Sequence, residues 1–363
     1  MKIINGGLLT LIEDQGRFLH QAEGVTPGGP MDPFSFRLAN ILVDNDENAA
    51  ALEITLMGPE ILFTEDCVAA VTGADVSPEL NGIPFSMNTA VTVRCGDTLS
   101  FGNAKGGLRA YVAFSGGGID APVMMGSRSV CVRLKFGRKL EAGDELKLMR
   151  YVPELPNMLS RCAPFSAGCA EGASDRRSSS AASSGSAASS GSAASSGSAA
   201  SSLRVIMGPQ DHMFTDEGIR TFLSSEYKVT GQCDRMALRL EGDVIEHKDG
   251  ADIISDGIAN GAIQVPGNGQ PMIMACERQT TGGYTKIAAV ITADMGKLGQ
   301  LKPGDRVRFE KVSLEDARAL LFAHRRELDE LKEKIAAAPL FPEKTYTVSV
   351  NGRSYGVRIR REG

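Results

Sequence analysis

A low-complexity tract near the middle of the chain constrains its fold more than any other feature. From Ser178 to Ser202 every residue is Ser, Ala or Gly, and the unit AASSGS recurs almost without change. A segment without large apolar side chains cannot contribute to a core and is typical of a flexible tether. The 363 residues are therefore expected to form two folded regions, each large enough to bury its own core.

Both regions have the sequence pattern of β structure. Short runs alternate apolar and polar residues and end at glycine, which is typical of half-buried strands. Residues 57–66 resemble 207–217, and 106–115 resemble 282–291, in the same order. This recurrence predicts two similar β-rich domains in tandem. Chance recurrence of strand and turn residues is the alternative.

Two helices and a hairpin are also predicted. Asp32 and Pro33 suit the N-cap and first turn of one helix. Ser313 with Asp316 begins a second, whose leucines at 321, 328 and 331 form an apolar stripe. Asn351-Gly352 joins two alternating runs as a hairpin. The predicted organisation is an N-terminal domain at 1–152, a linker at 153–202, a C-terminal domain at 203–312, a helix at 313–338 and a hairpin at 343–361.

Composition indicates a soluble, cytoplasmic protein. The net charge of −5 argues against a dedicated nucleic-acid binder. No apolar run is long enough to span a membrane, and the N-terminus lacks a signal region. The seven cysteines are scattered and never spaced as C-x-x-C, which is typical of reduced thiols.

Several common catalytic motifs are missing from the sequence. There is no P-loop, no dinucleotide-binding glycine motif opening a helix, and no G-x-S-x-G nucleophile elbow. The four histidines are far apart, so that no metal site is evident.

Four polar, glycine-rich clusters remain as candidate site segments: 13–17 (EDQGR), 24–32 (GVTPGGPMD), 115–129 (with SGGGID and MGSRS) and 277–284 (ERQTTGGY). Backbone amides in the second and third could hold an anion. Side chains of the fourth both donate and accept hydrogen bonds, which suits an amide or ureido group. Each cluster could instead be structural: a surface turn, a barrel-closing loop or a strand end with satisfied polar groups.

These clusters, in this order and with QVPGNGQP at 264–271 and ADMGKLGQLKPGD at 293–305, resemble one family. It is the family of the 5-oxoprolinase C subunit, also described as the second subunit of allophanate hydrolase and the carboxyltransferase domain of urea carboxylase. The resemblance covers roughly residues 1–311. It implies a mainly β fold of two tandem cyclophilin-like β-barrels, followed here by the helix and the hairpin.

The resemblance also implies an enzyme that acts on an N–C=O group with a companion subunit. In the oxoprolinase type the complex uses ATP to open a lactam ring, and a third subunit takes part. In the urea carboxylase type, carboxyl passes from carboxybiotin on a biotin carrier to a urea or amide nitrogen. A third alternative is a non-catalytic antagonist that binds a kinase-inhibitor protein.

Residue by residue, the resemblance places two sets of side chains in the substrate cleft. The predicted catalytic residues are Asp14, Asp32, Gln279 and Tyr284. The predicted substrate-binding residues are Arg17, Asn40, Arg128, Arg235, Gln264, Thr280 and Thr281.

The sequence departs from the family pattern at Glu13, where Gln is usual, at Val130, where Thr is common, and at Glu277, where Asp is usual. The hairpin resembles the opening strands of a biotinyl carrier domain, but no Met-Lys-Met acceptor follows it.

Overall fold

The computed structural model describes residues 1–163 and 200–337, together with the backbone of strands at 344–350 and 353–359. Nearly all of the predicted tether lies outside these residues. No described helix combines the length and the apolar character that crossing a membrane requires.

The N-terminal region consists of two sheets and a helix. Its elements are β1 (Lys2–Asn5), β2 (Leu9–Glu13), α1 (Pro33–Leu42), β3 (Ala51–Thr55), β4 (Glu60–Leu62), β5 (Cys67–Asp75), β6 (Glu79–Leu80), β7 (Ile83–Pro84), β8 (Thr89–Val93), β9 (Thr98–Ser100) and β10 (Lys105–Phe114). One five-stranded sheet has the order β1-β4-β9-β6-β7, and the other has the order β2-β3-β10-β5-β8.

Alternation along β10 shows how the second sheet divides its two faces. Ala110, which lies opposite Ile54 of β3, points with Val112 into the core shared by the two sheets. Tyr111 and Ala113 point the other way, into a cluster with α1. This ten-residue strand is buried on both faces and therefore has apolar residues on both faces. Because successive side chains of a strand point to opposite faces, alternate residues pack in different cores.

The C-terminal region closes on itself through strand pairing. Its elements are β11 (Ser201–Met207), α2 (Asp216–Ser224), β12 (Tyr227–Cys233), β13 (Ala237–Glu241), β14 (Asp252–Gly257), β15 (Ala262–Val265), β16 (Met272–Met274), β17 (Thr281–Val290), α3 (Met295–Gln300) and β18 (Arg306–Lys311). The pairing runs β11-β18-β12-β13-β16-β15-β17 and returns from β17 to β11, with β14 added to β17. Such a circuit leaves no free edge among its members.

The long helix α4 (Leu314–Ala337) connects the two regions. Near its beginning, Ala317 packs in a small cluster with Ala293 of the C-terminal region. Near its end, Leu328, Leu331 and Ile335 are buried in the cluster that includes α1. Beyond α4, β19 (Lys344–Val350) and β20 (Arg353–Ile359) pair as the predicted hairpin.

Helix α3 packs directly on the start of α1. A Cβ atom at Gly299 would lie 2.5 Å from the Met31 carbonyl oxygen, so only glycine permits this approach. Gln300 then reaches into the N-terminal region, where its Oε1 accepts hydrogen bonds from the Leu108 and Arg109 amides at 3.0 Å. The two regions thus meet through close backbone contacts rather than through a loose surface.

The predicted mainly β fold with a C-terminal helix and hairpin is confirmed. The N-cap of α1 is present, because the Asp32 carboxylate accepts a hydrogen bond from the Ser35 amide at 3.0 Å. The number of barrels stays a prediction, since the strands of the N-terminal region form two separate sheets. The domain limits also remain predictions; β11 begins at Ser201, inside the range assigned to the linker.

Candidate functional site

The glycine-rich loop at 24–32 belongs to the N-terminal region and contacts the C-terminal region. The Thr26 hydroxyl and the Gly28 amide both donate to the Cys276 carbonyl, at 3.1 and 3.2 Å. Gly29 has a φ of 88°, and a Cβ there would lie 2.7 Å from the Gln15 carbonyl oxygen. The loop is therefore held between the EDQGR segment and the chain just before RQTTGGY, which brings three of the predicted clusters together.

Arg235 is the centre of a buried ionic cluster at this junction. Its guanidinium forms ion pairs with Glu13 at 3.0 Å, with Glu277 at 2.6 Å, and with Glu53. It also donates to the Gly29 carbonyl at 2.7 Å. Arg235 therefore contacts four segments of the two regions, and its donors are directed at protein groups. Its predicted role in substrate binding stays a prediction.

Burial and charge move the pKa values of this cluster in opposite directions. Burial, with the neighbouring carboxylates Glu53 and Glu277, raises the pKa of Glu13 well above its ordinary value despite Arg235. Burial opposes ionisation of Glu53 as well, but Arg235 and Arg109 lower its pKa. Glu13 is thus the carboxyl of this cluster whose pKa is raised. Two positions where the sequence departs from the family pattern, 13 and 277, both contact Arg235.

Asp14 fixes the MGSRS loop. Its carboxylate accepts hydrogen bonds from the Gly16 amide, the Ser127 and Ser129 hydroxyls and the Arg128 amide, at 2.9, 2.5, 2.7 and 2.6 Å. Because both of its oxygens accept hydrogen bonds from this loop or from Gly16, the carboxylate has contacts typical of a structural residue. The side chain of Arg128 takes no part in these bonds, and its guanidinium contacts the Met149 sulfur.

Arg17 is fully buried beside the same loop. Its guanidinium donates to the carbonyls of Met124 and Ser129 and lies over the Phe136 ring, 5.0 Å from the centroid. Within the described part of the chain it forms no ion pair, and its Nη1 lacks a hydrogen-bond partner. It retains one unused donor, directed towards Gly28.

Asp32 and Asn40 lie at the two ends of α1. The Asp32 carboxylate also accepts from the Ser35 hydroxyl at 2.6 Å and the Gln300 amide at 2.8 Å. Burial raises its pKa. Asn40 donates to the Ala49 carbonyl at 2.9 Å and accepts from Asn45, which closes the turn after the helix. Asp32 thus joins the two regions, whereas Asn40 lies away from their junction.

Two adjacent recesses open at the junction. The first, the helix-side cleft, has a volume of about 340 Å³ and lies between the loop at 24–32, residues 292–296 and α4. The second, the strand-side groove, has a volume of about 570 Å³ and is formed by Gln21, Ala22, residues 257–260 and the RQTTGGY segment. Asn260 and Arg278 line both recesses, so these two residues separate the one from the other.

Arg278, which lines both recesses, is a buried arginine. Only 6% of its surface is exposed, and its Nε donates to the Ile258 carbonyl at 2.8 Å. Across residues 1–163 and 200–337 no carboxylate lies within ion-pairing distance of it, and burial lowers its pKa. A buried cation without a counter-ion is costly. Its remaining donors are available to an anionic or carbonyl oxygen in either recess.

Predicted site residues are distributed unevenly around these recesses. Thr280 and Thr281 line the strand-side groove beside Arg278. Gln279 and Tyr284 are exposed nearby, with Tyr284 opposite Asp252 in the β14–β17 pair. Gln264 is buried, and its Nε2 has no hydrogen-bond partner among the described residues. Asn40 and Arg128 line neither recess.

The predicted set omits Arg278 and Asn260. Arg278 is the arginine of RQTTGGY, so the motif itself could have pointed to it. The sequence instead favours the neutral side chains of that segment, because they suit an amide group. Asn260 belongs to no recognised motif, and only the fold places it beside Arg278. Among the described residues, no group of three or more His, Cys, Asp or Glu side chains could hold a metal ion.

Comparison with known proteins identifies the family. Residues 23–311 match the carboxyltransferase domain, subdomains A and B. The chain is 32% identical to the C subunit of 5-oxoprolinase from Escherichia coli over 321 residues, covering 87% of this chain and 93% of that protein. It is 32% identical to the urea amidolyase of Lachancea kluyveri over 335 residues, 88% of this chain and 17% of that one.

Among solved structures, the urea carboxylase of Kluyveromyces lactis superposes with a TM-score of 0.75 at 30% identity, over 91% of this chain and 29% of that chain. This chain therefore corresponds to nearly the whole of one relative and to a minor part of two others. These relatives are enzymes or enzyme subunits. The predicted resemblance is confirmed, and the chain belongs to the carboxyltransferase domain family.

Proposed function

We propose that this chain is a subunit of a 5-oxoprolinase-type enzyme that acts on a small cyclic amide together with a companion subunit. The similarity to the C subunit of 5-oxoprolinase over 93% of that protein supports this function. The observation that carries the proposal is Arg278, a buried guanidinium with unused donors beside Thr280 and Thr281. ATP hydrolysis by the complex, a third subunit and a cytoplasmic location belong to the same proposal.

The chemistry of an amide explains why such a residue is useful. An amide carbonyl is a poor electrophile, so opening a lactam requires stabilisation of the charge that develops on its oxygen. A guanidinium held in place by its Nε contact can donate to that oxygen without reorganising. Thr280 and Thr281 offer hydroxyls that can donate to the oxygen or accept from the ring N–H. In this proposal the groove holds and polarises the planar group.

The two aspartates have a positioning role in this proposal. The carboxylates of Asp14 and Asp32 accept hydrogen bonds from protein donors, which suits groups that hold segments in place; their predicted catalytic role stays a prediction. Asp14 fixes the loop that covers Arg17, and Asp32 fixes the start of α1 against α3. ATP supplies the driving force for ring opening when the assembled complex binds it; the residues described above bind and orient the amide.

The test is lactam-dependent ATP hydrolysis by the full chain with its companion subunit. We expect turnover with 5-oxoproline, and a large loss with Arg278→Met. Arg220→Met, a surface arginine paired with Glu217, is the matched control and is expected to retain activity. Absence of turnover with every small lactam would eliminate the proposal.

A biotin-dependent carboxyltransferase is the second candidate. The superposition on urea carboxylase over 91% of this chain favours it, as does the position of the β19–β20 hairpin after the matched region. In that case the groove binds the acceptor amide while carboxyl arrives from carboxybiotin. Consumption of carboxybiotin that increases when urea or another amide is added would support this candidate, whereas lactam-dependent ATP hydrolysis without biotin would eliminate it.

A further inference from the structure

We propose that the helix-side cleft is an oxyanion-binding subsite and that α4 supplies part of it through Arg325. The ligand would carry a phosphate or a carboxylate group, held between Arg325 on the helix and Arg278 on the wall shared with the strand-side groove. This inference rests on the cleft itself and does not require the lactam reaction.

The first argument is the sign of the charges around the cleft. Its lining includes Arg37, Arg278, His324 and Arg325, contributed by α1, the RQTTGGY segment and α4. None of the described residues that line it is Asp or Glu. A concave surface with walls of low polarity and several cations concentrates a positive potential, which attracts anions.

The second argument is that these cations differ in their protein partners. Arg37 lies 3.8 Å from Glu47, a carboxylate that also pairs with Lys332, and it donates to Gln15 at 3.0 Å, so it has protein partners but only a shared counter-ion. Arg278 and Arg325 have no ion pair with any residue in the described part of the chain. Because Arg278 is also more than nine-tenths buried, it is the anchor that points to a ligand.

The third argument is the spacing on α4. Leu321, His324, Arg325 and Leu328 occur at intervals of three, one and three residues, which places all of them on one helix face. Leu328 is buried against the N-terminal region and fixes that face towards the cleft. The His324 ring contacts the Phe34 ring, with centroids 5.3 Å apart.

The position of α4 in the chain makes this inference specific. The helix begins at Leu314, after the residues matched by the carboxyltransferase domain, 23–311. His324 and Arg325 therefore lie outside the matched residues, whereas Arg37 and Arg278 lie within them. A substitution at Arg325 can therefore alter ligand binding without altering the polar clusters that define the family.

Calorimetric titration of the full chain tests the inference, with inorganic phosphate as one probe and 5-oxoproline, which carries a single carboxylate, as the other. We expect saturable binding of at least one probe. Arg325→Ala should weaken it about tenfold, the effect of losing one charge-assisted contact. Arg326→Ala, the neighbouring exposed arginine outside the cleft, is the matched control and should change affinity less than about twofold.

The probe whose affinity depends on Arg325 identifies the source of the oxyanion: phosphate alone indicates a phosphorylated ligand, and 5-oxoproline alone indicates the substrate carboxylate. Binding of neither probe, or equal effects of the two substitutions, would overturn the inference. Because the measurement needs no turnover, the oxyanion site can fail while the proposed activity stands, and the reverse is also possible.

Discussion

Arg235 and Arg278 are two arginines of the C-terminal region with nearly equal burial and opposite surroundings. Their exposed fractions are 5% and 6%. Arg235 is surrounded by Glu13, Glu53 and Glu277. Among the described residues, Arg278 has a single hydrogen-bond acceptor, the Ile258 carbonyl. The Arg235 guanidinium is thus paired within the fold, whereas the described part of the chain provides no carboxylate for Arg278.

This contrast separates a structural from a functional use of the same side chain. A buried cation with several carboxylates holds segments together, and losing it leaves those carboxylates without a partner. A buried cation without a carboxylate weakens the fold, and such groups cluster at binding and catalytic sites. The two arginines should therefore respond to mutation in opposite ways.

The largest expected effect is that of Arg235→Met on stability. The substitution leaves Glu277 buried without a cation and Glu53 with Arg109 alone, and we expect the free energy of unfolding to fall by about 3–5 kcal/mol. Urea denaturation of the full chain measures it. A loss below about 1 kcal/mol, the range of a surface pair, would mean that the cluster does not hold the regions together.

Arg278→Met should reverse this pattern. We expect turnover to fall roughly 100-fold, since a charge-assisted hydrogen bond to the reacting group is lost. The free energy of unfolding should stay within about 1 kcal/mol of wild type, because the substitution removes an unpaired buried charge together with one hydrogen bond. Arg278→Lys retains the charge and is expected to recover part of the activity. A stability loss as large as that of Arg235→Met would show that Arg278, like Arg235, has a structural role.

Glu13→Gln tests the protonation state of the Arg235 cluster. Because the pKa of Glu13 is raised, the folded chain keeps its proton at pH values where the unfolded chain has released it. The contribution of Glu13 to the free energy of unfolding of wild type therefore falls as pH rises above 4.5, a loss that the variant does not share. We expect the variant to gain stability relative to wild type as pH rises from 4.5 towards the raised pKa of Glu13.

Urea denaturation across that pH range measures the difference. Glu315→Gln, an exposed carboxylate on α4, is the matched control and should track the wild type. A constant difference between Glu13→Gln and wild type at every pH would show that Glu13 is ionised in the folded chain and that Arg235 compensates its charge fully.

The smallest expected effect is that of Asn40→Ala. Its hydrogen bond to the Ala49 carbonyl closes the turn after α1, and losing it should lower the free energy of unfolding by about 1 kcal/mol. Because Asn40 lines neither recess, kcat and KM for a lactam should not change. A selective rise in KM would instead return Asn40 to the substrate cleft, as the resemblance predicts.

Local features of the sequence were sufficient for much of the fold. The N-cap of α1 follows from Asp32 and Pro33, because a cap needs only the residues of its own turn. The long strand β10 follows from its apolar run and α4 from its stripe, because periodicity records which face is buried. Whether strands close into a circuit depends on pairings between distant segments, and the sequence alone left the number of barrels open.

The site divides in the same way. The sequence by itself determined which segments are unusual, since glycines and polar side chains are concentrated in EDQGR, GVTPGGPMD and RQTTGGY, and it determined the family. Only the tertiary structure decided which arginine is free. Arg235 and Glu53 are 182 residues apart in the chain, and no local pattern records that they meet. Whether a charge is neutralised depends on which groups lie near it in the folded structure. The same side chain can therefore stabilise the fold at one position and be available to a ligand at another.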